Sequence, residues 1–330
     1  MNVNQHSPTE AVTDKLSPLS VMPLVSIIIP SYNQGRYIRQ AIDSCLRQSY
    51  RPIEVIVVDG GSTDETVEVL KSYPELAELR WISESDNGVQ DAVNKGVGMA
   101  QGEICGIQSS DDGYQEGAIE KAVSEFRQHP QAALVYGDSV RVNENGEEIE
   151  RWITGPFSIP NFLSKRTHVP QCAAFFRREA FVRVGGWSQT YFIADTECWL
   201  RMILRFPARK MDAFWGWQRR HEQQRDHQQD RIRQDFESML LNNEQVINGP
   251  RRWQRAAKCG IIRHSMRYGE SLNTRESRRR LLKAVWLWPP VILDPTVASL
   301  LIPFYLAIRS RLGARCSSRK NQTIRPGSLP

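Results

Sequence analysis

The first 20 positions are polar and hold no apolar core, so no secretory signal is expected there. Residues 1–22 read as a disordered lead-in, with the ordered part starting at Pro23. The six cysteines (Cys45, Cys105, Cys172, Cys198, Cys259, Cys316) are scattered and form no CxxC pair. That spacing excludes a disulfide framework or zinc site and fits a reducing, cytoplasmic compartment. Internal repeats and low-complexity runs are missing as well.

A long unbroken apolar run is also lacking. The most apolar stretch, Ala284 to Ile308, carries Asp294 near its middle beside Pro289, Pro290, Pro295 and Pro303. A spanning helix needs about 20 mostly apolar residues, and a central Asp costs about 2.5–3.5 kcal/mol there. The stretch therefore reads as an apolar hairpin broken at Asp294-Pro295, packed on the domain or dipping into one leaflet. From Ile308 onward no acidic residue occurs, while Arg309, Arg311, Arg315, Arg319, Lys320 and Arg325 do. Such a tail attracts an anionic membrane surface and suits a peripheral position on the inner face of the cell membrane. The net charge of +6 alone would also admit nucleic acid. No recognition motif accompanies it, and the acidic cleft inferred below would repel a polyanion.

What is present is an alternation of strand and helix signals. Val25-Ser26-Ile27-Ile28-Ile29-Pro30 is a short β-branched run, as a buried parallel strand requires. Tyr37, Ile38, Ala41, Ile42, Cys45 and Leu46 form one apolar helical stripe. Ile53 to Asp59 is a second buried strand, ended by Gly60-Gly61. Ser62-Thr63-Asp64-Glu65 has capping-box spacing for a helix to about Ser72. Strands at Leu79–Ile82, Glu103–Gln108 and Ala132–Tyr136, with a helix at Val89–Met99, predict an α/β fold. Its Rossmann-like, mostly parallel sheet carries helices on both faces. Beyond about Arg220 only helical patterns follow. The expected division is thus a nucleotide-binding domain at 23–230 and a helical C-terminal extension at 231–330.

Ligands of such sheets bind at the carboxyl ends of the strands. Those ends carry Ser31, Tyr32 and Asn33, then Asp59, then Glu84 and Asp86, then Asp111 and Asp112. Each has a plain explanation alone: Asp59 and Ser62 as turn and cap residues, Asp111-Asp112-Gly113 as a turn. Together, three acidic strand ends are costly unless something cationic or hydrogen-bonding fills the cleft. Paired Asp suits Mg²⁺ or Mn²⁺, which take their remaining oxygens from substrate phosphates and would neutralise a diphosphate leaving group.

At this point a resemblance emerges. Val25 to Asn33 followed by Val57-Val58-Asp59-Gly60-Gly61-Ser62-Thr63-Asp64 resembles the family 2 glycosyltransferases of the GT-A fold. Ser83-Glu84-Ser85-Asp86-Asn87-Gly88 and Asp91-Ala92-Val93-Asn94-Lys95-Gly96 are similar to that family's third-strand loop and following helix. Gln108-Ser109-Ser110-Asp111-Asp112 resembles its degenerate DxD motif. Phe175 to Arg178, with Val184 to Trp187, matches the segment leading to the acceptor side, and Ala194 to Arg201 resembles the acidic helix start that supplies the base. The likeness covers roughly residues 23 to 225.

The resemblance implies an inverting transfer from a nucleotide-sugar donor of UDP, GDP or TDP type to a glycan or lipid-linked acceptor. Pro30, Tyr32 and Asp59 would frame the nucleoside pocket, with Asn33, Asp86 and Asp91 beside the nucleotide. Asp111 would touch the ribose or a metal-bound water, Asp112 would ligate the metal, and Asp111 and His221 would complete its ligand set. Asp195 would be the general base, with Glu197 as its competitor; their i, i+2 spacing points them to different helix faces. His221 matches a segment closing over the diphosphate, where Arg220 could screen phosphates. Four positions depart from the pattern: Ser109, Gln108, Gln90 and Asp226. A sugar nucleotidyltransferase would need a Gly-rich basic loop after the first strand, where Ser31 to Arg36 has one Gly. A non-catalytic binding protein of the same fold would not need the intact set Asp59, Asp111, Asp112 and Asp195.

Overall fold

The apolar run at 25–31 forms β1 (Val25–Ser31), buried along its whole length because helices cover both of its faces. In the computed structural model, residues 14–222, 224 and 227–268 are described, and every structural statement concerns these. In chain order β1 is followed by α1 (Gly35–Leu46), β2 (Ile53–Asp59), α2 (Thr66–Lys71), β3 (Leu79–Ser83), α3 (Val89–Met99) and β4 (Ile104–Ile107). Then come β5 (Gly113–Tyr114), α4 (Ala118–Gln128), β6 (Leu134–Val142), β7 (Glu148–Trp152), α5 (Ile159–Leu163) and a 3-10 turn at Gln171–Ala173. The remainder is β8 (Ala174–Arg177), α6 (Arg178–Arg183), α7 (Ala194–Arg205), β9 (Ala208–Arg219), α8 (Gln229–Leu241), α9 (Glu244–Ile247) and α10 (Arg251–Tyr268).

One nine-stranded sheet runs in the order β3-β2-β1-β4-β8-β6-β9-β5, with β7 paired to β6. Its first four strands are parallel, with Val25 opposite Ile53 and Ile104. The second half is mixed: β8 is antiparallel to both β4 and β6, while β9 is parallel to β6. Two reversals restore direction, so β6 and β9 point the same way as β1 and β4. The carboxyl ends of β1, β2, β3, β4, β6 and β9 therefore lie along one rim.

The α1 stripe buries Tyr37, Ile38, Ala41, Ile42 and Cys45. It packs into a cluster with Ile27, Ile29, Val55, Val57, Phe126 and Phe175. Burying each large aliphatic of this set contributes about 1.5–3 kcal/mol. On the other face α3 approaches the sheet closely: a Cβ added at Gly96 would stand 2.5 Å from Ile28 Cγ2, so only glycine fits there. Cys45, Cys105, Cys172 and Cys198 are buried free thiols, and burial pushes Cys45 up to about 12, so these act as small apolar residues.

Three features differ from the sequence reading. The capping box at 62–65 does not form. The Ser62 hydroxyl goes to Asp59, and Asp64 instead accepts from Thr66 N (3.0 Å) and Gly35 N (3.0 Å), tying the starts of α1 and α2 together. Residues 14–22 are docked rather than a loose lead-in. Leu16 is buried, Asp14 pairs with Arg205 at 2.5 Å, and Ser17 N donates to Glu179 Oε2 at 2.9 Å. Finally, the first compact unit runs to residue 257, past the boundary expected at 230, and Phe236, Met239, Leu240 and Val246 are buried. The second unit is 258–330, of which 258–268 are described. The expected tail at 1–13, the departure at Asp226, and the apolar and basic segments at 284–325 lie outside the described residues. No helix among the described residues is long and apolar enough to cross a membrane.

Candidate active site

The rim gathers most of the residues singled out above. After β4 the chain turns through Ser109 to Asp112, and after β9 it reaches His221. His221 Nε2 lies 2.9 Å from Asp111 Oδ2, with side chains 4% and 17% exposed. The imidazole also packs on the Tyr37 ring of α1, centroids 5.1 Å apart. Asp112 accepts from Arg219 N at 3.0 Å through Oδ1.

Arg219 holds this arrangement, and sequence reasoning passed over it in favour of Arg220. Its guanidinium is 1% exposed. It donates to Asp111 O (3.2 Å), Asn143 O (3.2 Å), Glu144 O (2.7 Å) and Gln40 Oε1 (2.5 Å). The rings of Tyr37 and Trp217 lie 4.8 and 5.1 Å from Arg219 Cζ. Burial lowers its pKa, while Tyr37, Asp111 and Asp112 act in the opposite direction. The single clue in the sequence is the repeat Trp215-Gly216-Trp217 ahead of it, which marks a packed strand rather than a charged surface. Arg220 is half-buried, its N–H donating to Val142 O at 2.8 Å and its Nη1 to Gln224 Oε1 at 3.4 Å.

Asp59 differs from its expected role. It is 0% exposed and already accepts from Gly61 N (3.2 Å), Ser62 N (2.9 Å), Ser83 Oγ (2.7 Å) and Ser62 Oγ. Its carboxylate organises the turns after β2 and β3. Around it, Pro30 is buried in β1 and Tyr32 is 60% exposed at the rim. Asn33 adopts φ 53°, a conformation Asn tolerates, and its Oδ1 accepts from Thr63 N at 2.9 Å. Asp86 accepts from Gly88 N at 2.8 Å and rests on Gly60, where an added Cβ would stand 2.8 Å from Asp86 Oδ2. Asp91, in the first turn of α3, accepts from Asn87 N at 3.1 Å and closes the same loop.

The start of α7 reaches this rim through α3. Gln90 Nε2 donates to Tyr191 O at 2.9 Å, and Asn94 exchanges bonds of 2.8 and 2.9 Å with Trp187. Residue 191 therefore sits beside the amino end of α3, which follows the carboxyl end of β3, and Asp195 comes four residues later. Glu197 points elsewhere. It is buried and bonds Arg201 at 2.6 Å through each oxygen, while Arg201 also holds Gly186 O at 2.5 Å. Asp195 is half-buried. Of the two acids, Asp195 is the one not locked into a helix-side ion pair with Arg201.

Whether the residues suit a divalent ion can be judged from the donor set. Two neighbouring ligands of an octahedral ion at about 2.0–2.1 Å stand about 3 Å apart. Asp111 Oδ2 and His221 Nε2 are 2.9 Å apart in a direct hydrogen bond, which would have to open for both to ligate one ion. No group of three or more His, Cys, Asp and Glu side chains suited to a metal occurs among the described residues. An ion here would draw its other ligands from phosphate oxygens and water.

Comparison with known proteins bears on the family and the fold. Residues 26–185 match the sequence model of the family described as glycosyl transferase family 2. A "PGL/p-HBAD biosynthesis glycosyltransferase" of Mycobacterium bovis (strain BCG / Pasteur 1173P2) is 35% identical over 172 residues, 51% of this chain and 65% of that protein. The hyaluronan synthase of Pasteurella multocida is 34% identical over 162 residues, 49% of this chain and 16% of that protein. The chain thus spans less than two thirds of the length of these relatives. Among solved structures, S. aureus TarS 1–349 in complex with UDP-GlcNAc superposes with a TM-score of 0.61 at 16% identity, covering 84% of this chain and 83% of TarS 1–349. The mannosyltransferase PcManGT from Pyrobaculum calidifontis, in complex with GDP-Man and Mn²⁺, gives 0.57 at 19% identity, covering 87% of each chain. The fold is therefore of the GT-A type.

Proposed function

We propose that residues 26–185, which match the model of glycosyl transferase family 2, form a glycosyltransferase domain, and that the protein transfers a sugar from a nucleotide-diphosphate sugar to a hydroxyl of a glycan or glycolipid acceptor. The observation that carries this reading is the strand-end rim, where Asp111 and His221 stand in hydrogen-bond contact at 2.9 Å. The two solved structures above hold UDP-GlcNAc and GDP-Man, which supports a nucleotide-sugar donor. The relatives named for PGL/p-HBAD biosynthesis and hyaluronan support a glycan or glycolipid acceptor.

Asp111 and His221 would hold Mg²⁺ or Mn²⁺, which would supply charge to offset that on the departing diphosphate. Asp112 and Arg219 keep the Asp111 turn in place from behind. Asp195 takes the proton from the acceptor hydroxyl as its oxygen bonds to the anomeric carbon. The bond from that carbon to the nucleoside diphosphate breaks from the opposite side, so configuration inverts. A positioned base contributes about 10²–10⁴-fold. Tyr32, Asn33 and the Asp86 loop, all on the rim, line the nucleoside end. Cytoplasmic placement beside an anionic leaflet belongs to the same proposal and rests on the composition of 284–325 alone.

A thermal-shift panel of UDP-, GDP- and TDP-sugars, with and without Mn²⁺, tests the reading. Stabilisation by one donor, dependent on Mn²⁺, is the expected result. No shift with any donor in either condition would overturn it.

A further inference from the structure

Beneath the Ser109–Asp112 turn lies a set of buried polar groups that the mechanism above does not use. Gln108 follows β4 and continues its ladder, its N–H donating to Ile28 O at 2.9 Å. Its side chain is 0% exposed, and neither Oε1 nor Nε2 has a hydrogen-bond partner among the described residues. The Oγ of Ser31, last residue of β1, is likewise buried and unpaired, as is the Tyr114 hydroxyl of β5.

Strand alternation puts the three on one face. Val25, Ile27 and Ile29 belong to the cluster under α1, so Ser31 continues that face. Ile104 belongs to the same cluster, so Gly106 and Gln108 continue it along β4. An added Cβ at Gly106 would meet the Tyr114 hydroxyl and the Ile27 and Phe175 side chains, which brings Tyr114 to the same place. The face is the one opposite α3, whose Gly96 packs on Ile28.

A buried polar group without a partner costs about 1–3 kcal/mol, and an apolar residue of similar shape is nearly neutral or stabilising there. A leucine would fill the Gln108 position at no such cost. Sequences that specify a fold break a packing rule chiefly at functional sites. We infer that Gln108 is a positioning residue: with Ser31 and Tyr114 it binds a non-protein hydrogen-bonding partner beneath the turn, and so fixes Asp111 for the donor diphosphate. This rests on the nucleotide-sugar reading. The partner is internal water or a polar group of the donor; either satisfies the amide.

The test compares wild type with Gln108→Leu and the amide-keeping Gln108→Asn. Affinity for UDP and for GDP, each with Mn²⁺, is measured by calorimetry, and the unfolding midpoint is measured without nucleotide. The expected result for Gln108→Leu is a loss of about ten- to a hundredfold in nucleotide affinity with a midpoint equal to or above wild type. Gln108→Asn recovers part of the affinity. Recovery seen for UDP and GDP but not for UMP and GMP points to the diphosphate end, and recovery seen for all four points to water alone; both uphold a positioning role. Unchanged affinity in Gln108→Leu overturns the inference, and so does a fall in midpoint that accounts for the loss, since the amide then serves only the fold. If neither nucleotide binds the wild type, the nucleotide-sugar reading itself fails and this inference with it.

Discussion

Arg219→Lys separates a buried clamp from a surface charge. Arginine reaches four acceptors at once: Asp111 O, Asn143 O, Glu144 O and Gln40 Oε1. Those acceptors come from three separate segments, and a lysine ammonium, a compact point donor, cannot span them. Losing two charge-assisted bonds at about 1.5–3 kcal/mol each, less what lysine regains, leaves a destabilisation of about 3 kcal/mol. For a unit of this size that is about 6–12 °C in the unfolding midpoint. The Asp111 turn also loses one of its supports, and a displacement of about 1 Å at a reacting centre costs about 10²-fold in rate. Differential scanning calorimetry and donor turnover at saturating acceptor read the two effects. A midpoint within 1 °C of wild type together with unchanged turnover would refute the clamp.

Further outcomes follow from the same geometry. Asp195→Asn should keep nucleotide affinity while turnover falls by about 10²–10⁴-fold; near wild-type turnover would remove Asp195 from the base role. Glu197→Gln breaks the paired 2.6 Å contacts to Arg201, so the midpoint should fall by a few degrees with turnover little changed, and a turnover collapse without unfolding would make Glu197 the base. Glu54 is buried, which raises its pKa, but bonds from Ser26 (2.6 Å), Gln101 N (2.7 Å) and Arg80 (2.6 Å) outweigh this and lower it. The folded state then binds fewer protons, so the stability Glu54 contributes is present above its ordinary value of 4.5 and is lost as pH falls below it. Urea titrations across that range should show a shallower acid limb in Glu54→Gln, and identical limbs would contradict this assignment.

Much of this was legible in the sequence where the signal is local. The β-branched runs at 25–31 and 53–59 and the stripe Tyr37, Ile38, Ala41, Ile42, Cys45 announce buried strands and a covering helix, and the structure has them. The second half of the sheet was harder. β9 reads Ala-Arg-Lys-Met-Asp-Ala-Phe-Trp-Gly-Trp-Gln-Arg, half-buried along most of its length, so its charged residues mask the strand period. At the site, spacing brought out Asp111 and His221 but could not say which of the paired acids faces the cleft. The Arg219 N–H, 107 residues away, donates to Asp112, a contact no local spacing reveals. Of the donors to Asp59, Ser62 lies three residues on, whereas Ser83 becomes its neighbour only when β2 and β3 pair. Arg219 was missed for the same reason, since its partners at Gln40, Asn143 and Glu144 are distant in the chain.

The claim on which the rest depends is that one cation, gripped by a carboxylate and an imidazole, meets the nucleotide's phosphates at the Asp111–His221 contact. Calorimetric titration of UDP and GDP into wild type, Asp111→Asn and His221→Ala, each with Mn²⁺ and with EDTA, addresses it most directly. The account predicts tight binding of one nucleotide by the wild type with Mn²⁺, lost with EDTA and weakened at least tenfold in each variant. Equal affinity in all three proteins, with or without the ion, would contradict it.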